Sequence, residues 1–334
     1  NEQIFIIIVV VKYLYNCWLK RLASMTRILK GITLLIASCF VLSIQAQDPH
    51  FSQYYANPLY LNPAFAGVQK CPTVHLNYRN QYPTLGAYNT FSASYDQFVP
   101  GIKGGLGVLL LRDEAGNGAL NLTEASLIYS YHLNVTRKFT LLAGFQATFR
   151  QRTLNWDSFT FPDQIDPFYG FVKPTNELEP ANNTNSHLDL SAGFLGYTEY
   201  WYLGITTSHL TQPNEAFLSN NILPFKLTVH GGASIPLGRK RLHNSTRNIL
   251  IPNLVYQTQG GAQQITAGLS FNRGPISGGL ALRHGGNNPD AVIIILGIAP
   301  EKSDITIGYN YDYTITDLTN VVGGAHEISL YYKL

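Results

Sequence analysis

Residues 305–315 read ITIGYNYDYTI. In an extended chain Ile305, Ile307, Tyr309, Tyr311, Tyr313 and Ile315 share one face and Thr306, Gly308, Asn310, Asp312 and Thr314 the other, because side chains of a strand alternate. One face is apolar and aromatic; the other is small and polar. The end of the chain repeats the arrangement, with His326, Ile328, Leu330, Tyr332 and Leu334 opposed to Glu327, Ser329, Tyr331 and Lys333. So does 139–150, where Phe139, Leu141, Ala143, Phe145, Ala147 and Phe149 alternate with Thr140, Gly144, Gln146, Thr148 and Arg150. Further runs start near Val74, Phe91, Leu106, Leu127, Leu188, Trp201, Phe225, Leu250, Ile265, Gly278 and Val292, separated by Gly, Pro, Asn and Asp. Together they predict about fourteen strands, within the even series of transmembrane barrels.

A soluble β-sandwich alternates too, so the choice of solvent rests on three further observations. The polar face is rich in Gly, Ser, Thr and Asn with scattered charges, which suits a wet or loosely filled lumen. Tyr88, Tyr129, Tyr131, Tyr309, Tyr313 and Tyr331 gather near strand ends, where an interfacial girdle would hold them. Connections also alternate in length: short inner turns at 100–102, 134–136, 196–198, 272–274 and 300–302, against mostly longer outer loops at 113–119, 151–186, 210–223, 284–290 and 316–325. This parity follows from an even-stranded barrel with both termini on the inner side. The expected fold is therefore all-β, a transmembrane outer-membrane antiparallel β-barrel with an irregular N-terminal arm.

The inner turn 237–247 is the exception. It carries Arg239, Lys240, Arg241 and Arg247, the most basic stretch after residue 46. It reads either as a solvated turn marking the inner side or as a docking point for an acidic periplasmic partner.

Ahead of the barrel, residues 1–24 read as non-native upstream extension, since the only Met is Met25 and Lys12, Asn16 and Lys20 interrupt any apolar span. Residues 25–46 have the form of a signal peptide: Arg27 and Lys30, an apolar core over 31–44, and Ala46 before a cleavage point at Gln47. The competing reading is a lipobox ending at Cys39, opposed by the apolar run through Phe40, Val41 and Leu42. Cleavage before Gln47 takes Lys+Arg from 23 to 18 and Asp+Glu from 20 to 19, so the net charge goes from +3 to −1. A near-neutral chain has no electrostatic footprint for nucleic acid. Only Cys71 remains, which excludes an intrachain disulfide and reads as a small apolar residue beside a turn.

Between signal and strands, residues 47–70 form the arm, and 71–334 the barrel. Its stretch 48–67, DPHFSQYYANPLYLNPAFAG, holds Phe51, Tyr54, Tyr55, Tyr60 and Phe65 with two Asn-Pro steps. Proline removes a donor and pushes the preceding residue out of the α region, so Asn57-Pro58 and Asn62-Pro63 turn the chain without letting it enter a sheet. Large rings then anchor it.

The run Ser52, Gln53, Tyr54, Tyr55, Asn57, Pro58, Asn62, Pro63, Phe65 and Gly67, with Phe51 ahead of it, resembles the N-terminal signature of the PorP/SprF family, outer-membrane proteins of the Bacteroidetes type IX secretion system. The resemblance continues through Asn77-Tyr78-Arg79-Asn80-Gln81 to His326-Glu327-Ile328 and so spans nearly the whole mature chain. It implies a multi-pass protein of the outer membrane, in contact with its lipid, that supports export or anchoring of cargo with a C-terminal sorting domain, including gliding adhesins in motile relatives. Implied partners are that cargo outside, and periplasmic secretion-ring proteins or a peptidoglycan-binding lipoprotein inside. The family pattern also implies an aromatic C-terminal residue, where this chain has Leu334.

No motif for catalysis, metal or phosphate binding is present, so neither enzyme activity nor a cofactor is expected. His75, His132 and His230 fall on the lumen face and read as structural hydrogen-bonders. In the long outer loop, Trp156, Phe159, Phe161, Phe168 and Tyr169 interleave with acidic residues that lack EF-hand spacing, the composition of a protein-contact surface and a candidate for cargo contact. A porin or hydrophobic-solute transporter with the arm as lumen plug is the other reading, and a secreted β-sandwich adhesin a third.

Overall fold

The computed structural model describes residues 48–334 apart from 87, 218–220, 238–247, 287, 301–302 and 317–322. The segments 1–24 and 25–46, the cleavage site Ala46/Gln47 and the basic residues Arg239, Lys240, Arg241 and Arg247 lie outside the described residues.

Fourteen strands run up and down in chain order: β1 (Thr73–Gln81), β2 (Tyr88–Val99), β3 (Gly104–Ala115), β4 (Leu120–Asn134), β5 (Thr140–Leu154), β6 (Thr184–Tyr197), β7 (Trp201–Ser208), β8 (Lys226–Ala233, continued by Ile235–Leu237), β9 (Asn248–Gln259), β10 (Ala262–Arg273), β11 (Ile276–Gly285), β12 (Asn288–Ile298), β13 (Ile305–Thr314) and β14 (Ala325–Lys333). Each pairs antiparallel with its neighbours in sequence, and β14 pairs with β1, so the sheet closes on itself. Closure matters because an open edge in hydrocarbon would leave backbone donors and acceptors unpaired. Two irregularities have local causes. The ladder between β8 and β9 breaks opposite Pro252, which has no N–H to give. A bulge in the β11–β12 pairing falls between Arg283 and His284, beside Pro289.

The alternation holds. Along β13 the residues Ile305, Ile307, Tyr309 and Tyr313 are exposed on the outer wall, while Asn310, Asp312 and Thr314 are buried inside. Along β5, Phe145 and Phe149 point out and Thr148 and Arg150 point in. Tyr331 departs from the expected girdle: it faces the lumen, its ring 4.9 Å from that of His75.

Strands run further than their polar ends suggest, so the outer connections expected over 113–119 and 284–290 shrink to 116–119 and 286–287, and β9 turns into β10 at 260–261. The long loops 155–183 and 209–225 stand on the same mouth, which in such barrels is the extracellular one.

Of the wet and the loosely filled lumen that the polar face suits, neither is found: the arm fills the lumen and packs against its wall. Short helical turns Tyr54–Ala56, Pro58–Leu61 and Pro63–Phe65 carry the arm through it. Inward-facing Leu109, Leu111, Leu122, Ile128, Leu142, Leu195 and Val255 pack on Phe51, Tyr54, Leu59, Leu61, Ala64 and Ala66. This is a protein core wrapped by a barrel.

Candidate functional site

The arm enters beside the long-loop mouth and leaves at the short-turn mouth. Asp48 N donates to Gln259 Oε1 at the outer end of β9. Further down, His75 Nδ1 donates to Ala56 O at 3.1 Å and Asn57 Nδ2 to Ser92 Oγ at 3.0 Å. Asn62, held extended by the proline after it, caps the turn Pro63–Phe65 by accepting from Ala64 N at 2.9 Å, while its Nδ2 donates to Phe194 O and His230 Nε2 at 3.1 Å each. Ser130 Oγ and His132 Nε2 reach Ala64 O and Ala66 O at 2.9 Å, and Gly67 N donates to Asp96 Oδ2 at 2.8 Å near the inner end of β2.

Thus Phe51, Ser52, Gln53, Tyr54, Asn57, Asn62, Pro63 and Gly67 come together, buried in the lumen, with Pro58 and Phe65 partly buried and Tyr55 exposed. His75, His132 and His230 are hydrogen-bonders, as read from the sequence, and each of them bonds the arm.

Two groups of buried charges hold the arm, and sequence reasoning did not single either out. At the β1–β14 seam, Glu327 accepts from the backbone N–H of Ser52 (2.8 Å) and Gln53 (3.0 Å) and pairs with Arg79 at 3.1 Å, its register partner across the seam. Asp312 takes Arg79 at 2.9 Å, Arg283 at 2.8 Å and Ser52 Oγ at 2.6 Å. The available signal was a lone charge on an otherwise small, neutral strand face.

The second group lies at the outer mouth. His209 Nδ1 meets Asp189 Oδ2 and Nε2 meets Asp48 Oδ2, both at 2.6 Å, and Arg150 joins Asp48 (3.3 Å), Glu124 (2.7 Å) and Glu215 (3.0 Å). The two carboxylates flank opposite sides of the imidazole, so they orient it and do not converge on a common point. His209 sits at φ +60°, a left-handed conformation that these bonds sustain.

Burial disfavours the His209 imidazolium, yet the carboxylates of Asp48 and Asp189 raise its pKa from 6.5 to about 9. Burial likewise pushes the Asp48 carboxyl up, but His209 and Arg150 outweigh it and hold it well below 3.8. His209 therefore contributes fully below about pH 6.5 and loses its contribution as pH rises through about 9, whereas Asp48 contributes above about 3.8. Between about pH 7 and pH 10 the thermal midpoint of the purified barrel is expected to fall a few degrees further than that of His209→Gln.

The loop residues expected at a contact surface divide into two sets. Trp156, Phe159 and Phe161 cluster, with ring centroids 4.9 Å apart for Trp156 and Phe161. Phe168 and Tyr169 stand 90% and 80% exposed at the tip of a hairpin pairing Ile165–Asp166 with Gly170–Phe171, and Val172 and Leu178 further along the same loop are also exposed.

The family model for the type IX secretion system membrane protein PorP/SprF matches residues 43–332. The chain belongs to the PorP/SprF family. A comparison with curated proteins gives no match. Among solved structures, this PorP/SprF chain is similar to the toluene transporter TbuX of Ralstonia pickettii, at TM-score 0.45 and 8% identity over 83% of this chain and 93% of that one. It is also similar to a Pseudomonas aeruginosa FadL homologue (TM-score 0.43, 12% identity, 81% and 92% covered) and to the KdgM porin (TM-score 0.36, 7% identity, 78% and 99% covered). Membership makes it a membrane component of the type IX secretion system, and the closed barrel puts it in the outer membrane.

Proposed function

We propose that this PorP/SprF barrel is a closed anchor, which holds or helps export cargo bearing a C-terminal sorting domain and catalyses nothing itself. The observation that carries this reading is the filled lumen: the arm occupies the path a solute would take, and buried ion pairs tie it in place. Work is then left to the surfaces at the two mouths. On the outside, exposed Phe168, Tyr169, Phe171 and Leu178 offer apolar anchors of the kind that carry interface energy, here for the cargo. On the inside, the basic turn with Arg239, Lys240, Arg241 and Arg247 is the proposed link to secretion-ring proteins or a peptidoglycan-binding lipoprotein. The arm is buried and so unavailable as an exposed tether. A hydrophobic-solute path finds little support in a lumen crossed by ion pairs.

The test is affinity purification in mild detergent followed by mass spectrometry. The native barrel should retain a large secreted protein with a C-terminal sorting domain, and Phe168→Ser/Tyr169→Ser should lose it by tenfold or more while the barrel still assembles. Retention by the double variant would remove the loop from this role. A native barrel with no partner, conducting in planar bilayers, would favour transport.

A further inference from the structure

At the long-loop mouth, beside the arm's first residues, lies a cavity of about 670 Å³. Its size falls within the roughly 300–1,000 Å³ typical of small-ligand sites. Asp48 and His50 border it on the arm side, and β1, β8, β9, β10, β11 and β12 supply residues of the wall.

Its chemistry is specific in what it lacks. The charges on its border face opposite charges: Arg79 faces Asp312 and Glu327, Arg283 faces Asp290 (2.5 Å) and Asp312, Asp48 faces His209 and Arg150, and Lys226 stands 3.7 Å from Asp48. Every Asp, Arg and Lys on that border has an opposite charge within 4 Å, so the lining carries no strong excess of either sign. Nor does the lining hold a cluster of aliphatic side chains that would take a hydrocarbon. What dominates the rest is a set of carboxamides, Gln81, Gln257, Gln259, Gln263 and Gln264, each a donor pair beside an acceptor. Gln259 is buried, and while its Oε1 accepts from Asp48 N, its Nε2 has no partner.

We infer that this cavity binds a neutral, hydroxyl-rich chain, an oligosaccharide segment presented from outside the cell. Vicinal hydroxyls each give and take a hydrogen bond, which matches carboxamides, and need neither net charge nor an apolar slot. A peptide would need pockets that read its side chains, and the lining provides none. This inference does not depend on the cargo reading, which uses the loop tip at Phe168 and Tyr169.

The test is calorimetric titration of the full chain in detergent with maltohexaose, cellohexaose and chitohexaose, and with a hexapeptide of Ser, Thr, Asn and Gly. Expected is saturable binding of at least one hexasaccharide, weakened tenfold or more in Ala262→Trp, which fills the cavity from its rim, and in Gln264→Leu, which removes a carboxamide with little change of volume. Phe168→Ser should bind as the native chain does. No saturable binding of any sugar, binding of the peptide alone, or undiminished binding in both cavity variants would overturn the inference.

Discussion

Replacing Gly105 and Gly144 together by leucine turns a silent barrel into a conducting one. Both glycines face the lumen where the arm's backbone lies against the wall. A Cβ at Gly105 would stand 2.0 Å from Ala66 O and 2.3 Å from its carbonyl carbon, and one at Gly144 would stand 2.2 Å from Ala64 N and 2.4 Å from Pro63 C. Every one of these neighbours is backbone, so no rotamer change relieves the clash. Leucine fits a strand, and the ladders of β3 and β5 are unaffected, so the arm must yield. Leaving, it forfeits the bonds from Ser130 and His132 and that of Gly67 N–H to Asp96. In planar bilayers the native chain is expected to show no steps and the double variant discrete ones, with equal heat-modifiable mobility on gels showing that both barrels are closed. A silent double variant would mean that something other than the arm seals the lumen.

The second large effect is on stability. Glu327→Ala removes the acceptor of two arm N–H groups and one partner of the buried Arg79 guanidinium, both side chains being about 1% exposed or less. Breaking a buried pair from one side leaves an uncompensated charge and costs about 3–5 kcal/mol. Glu327→Gln keeps one carbonyl acceptor and should lose less. The control is Glu114→Ala on the outer wall, whose pair with Arg112 at 2.8 Å is exposed. Such pairs contribute roughly 0–1 kcal/mol. Thermal unfolding of the three variants in detergent orders them: Glu114→Ala near native, then Glu327→Gln, then Glu327→Ala. If Glu327→Ala unfolds with Glu114→Ala, the seam cluster does not hold the arm.

The barrel was legible because a strand writes its two faces into every second residue, and all fourteen starts fall within or beside observed strands. The destination of the arm was legible only as an alternative, a plug of the lumen, because its partners are residues such as Asp312, Glu327 and His230, brought close only by closure of the sheet. Yet traces existed. Leu109 and Leu111 put apolar side chains on the face expected to be wet, within the run Val108-Leu109-Leu110-Leu111. A strand apolar on both faces inside a membrane barrel has something apolar within it. Tyr331 was misread because a phenol suits a lipid interface and an inward stack on His75 equally well. Loop lengths erred where strands continue through Asp113, Glu114 and His284, polar residues that pair in register beyond the apolar band.

The seam between β1 and β14 has a consequence for how the molecule can be made. A finished barrel with this interior offers no bore through which twenty residues of chain could later be drawn, so the arm has to be in place before the last ladder zips. Arg79 and Glu327 face each other in that ladder, and the amides of Ser52 and Gln53 complete the carboxylate between them. Order of assembly is thereby written into the joint: an arm that is to fill the lumen has to be laid down before the final strand locks.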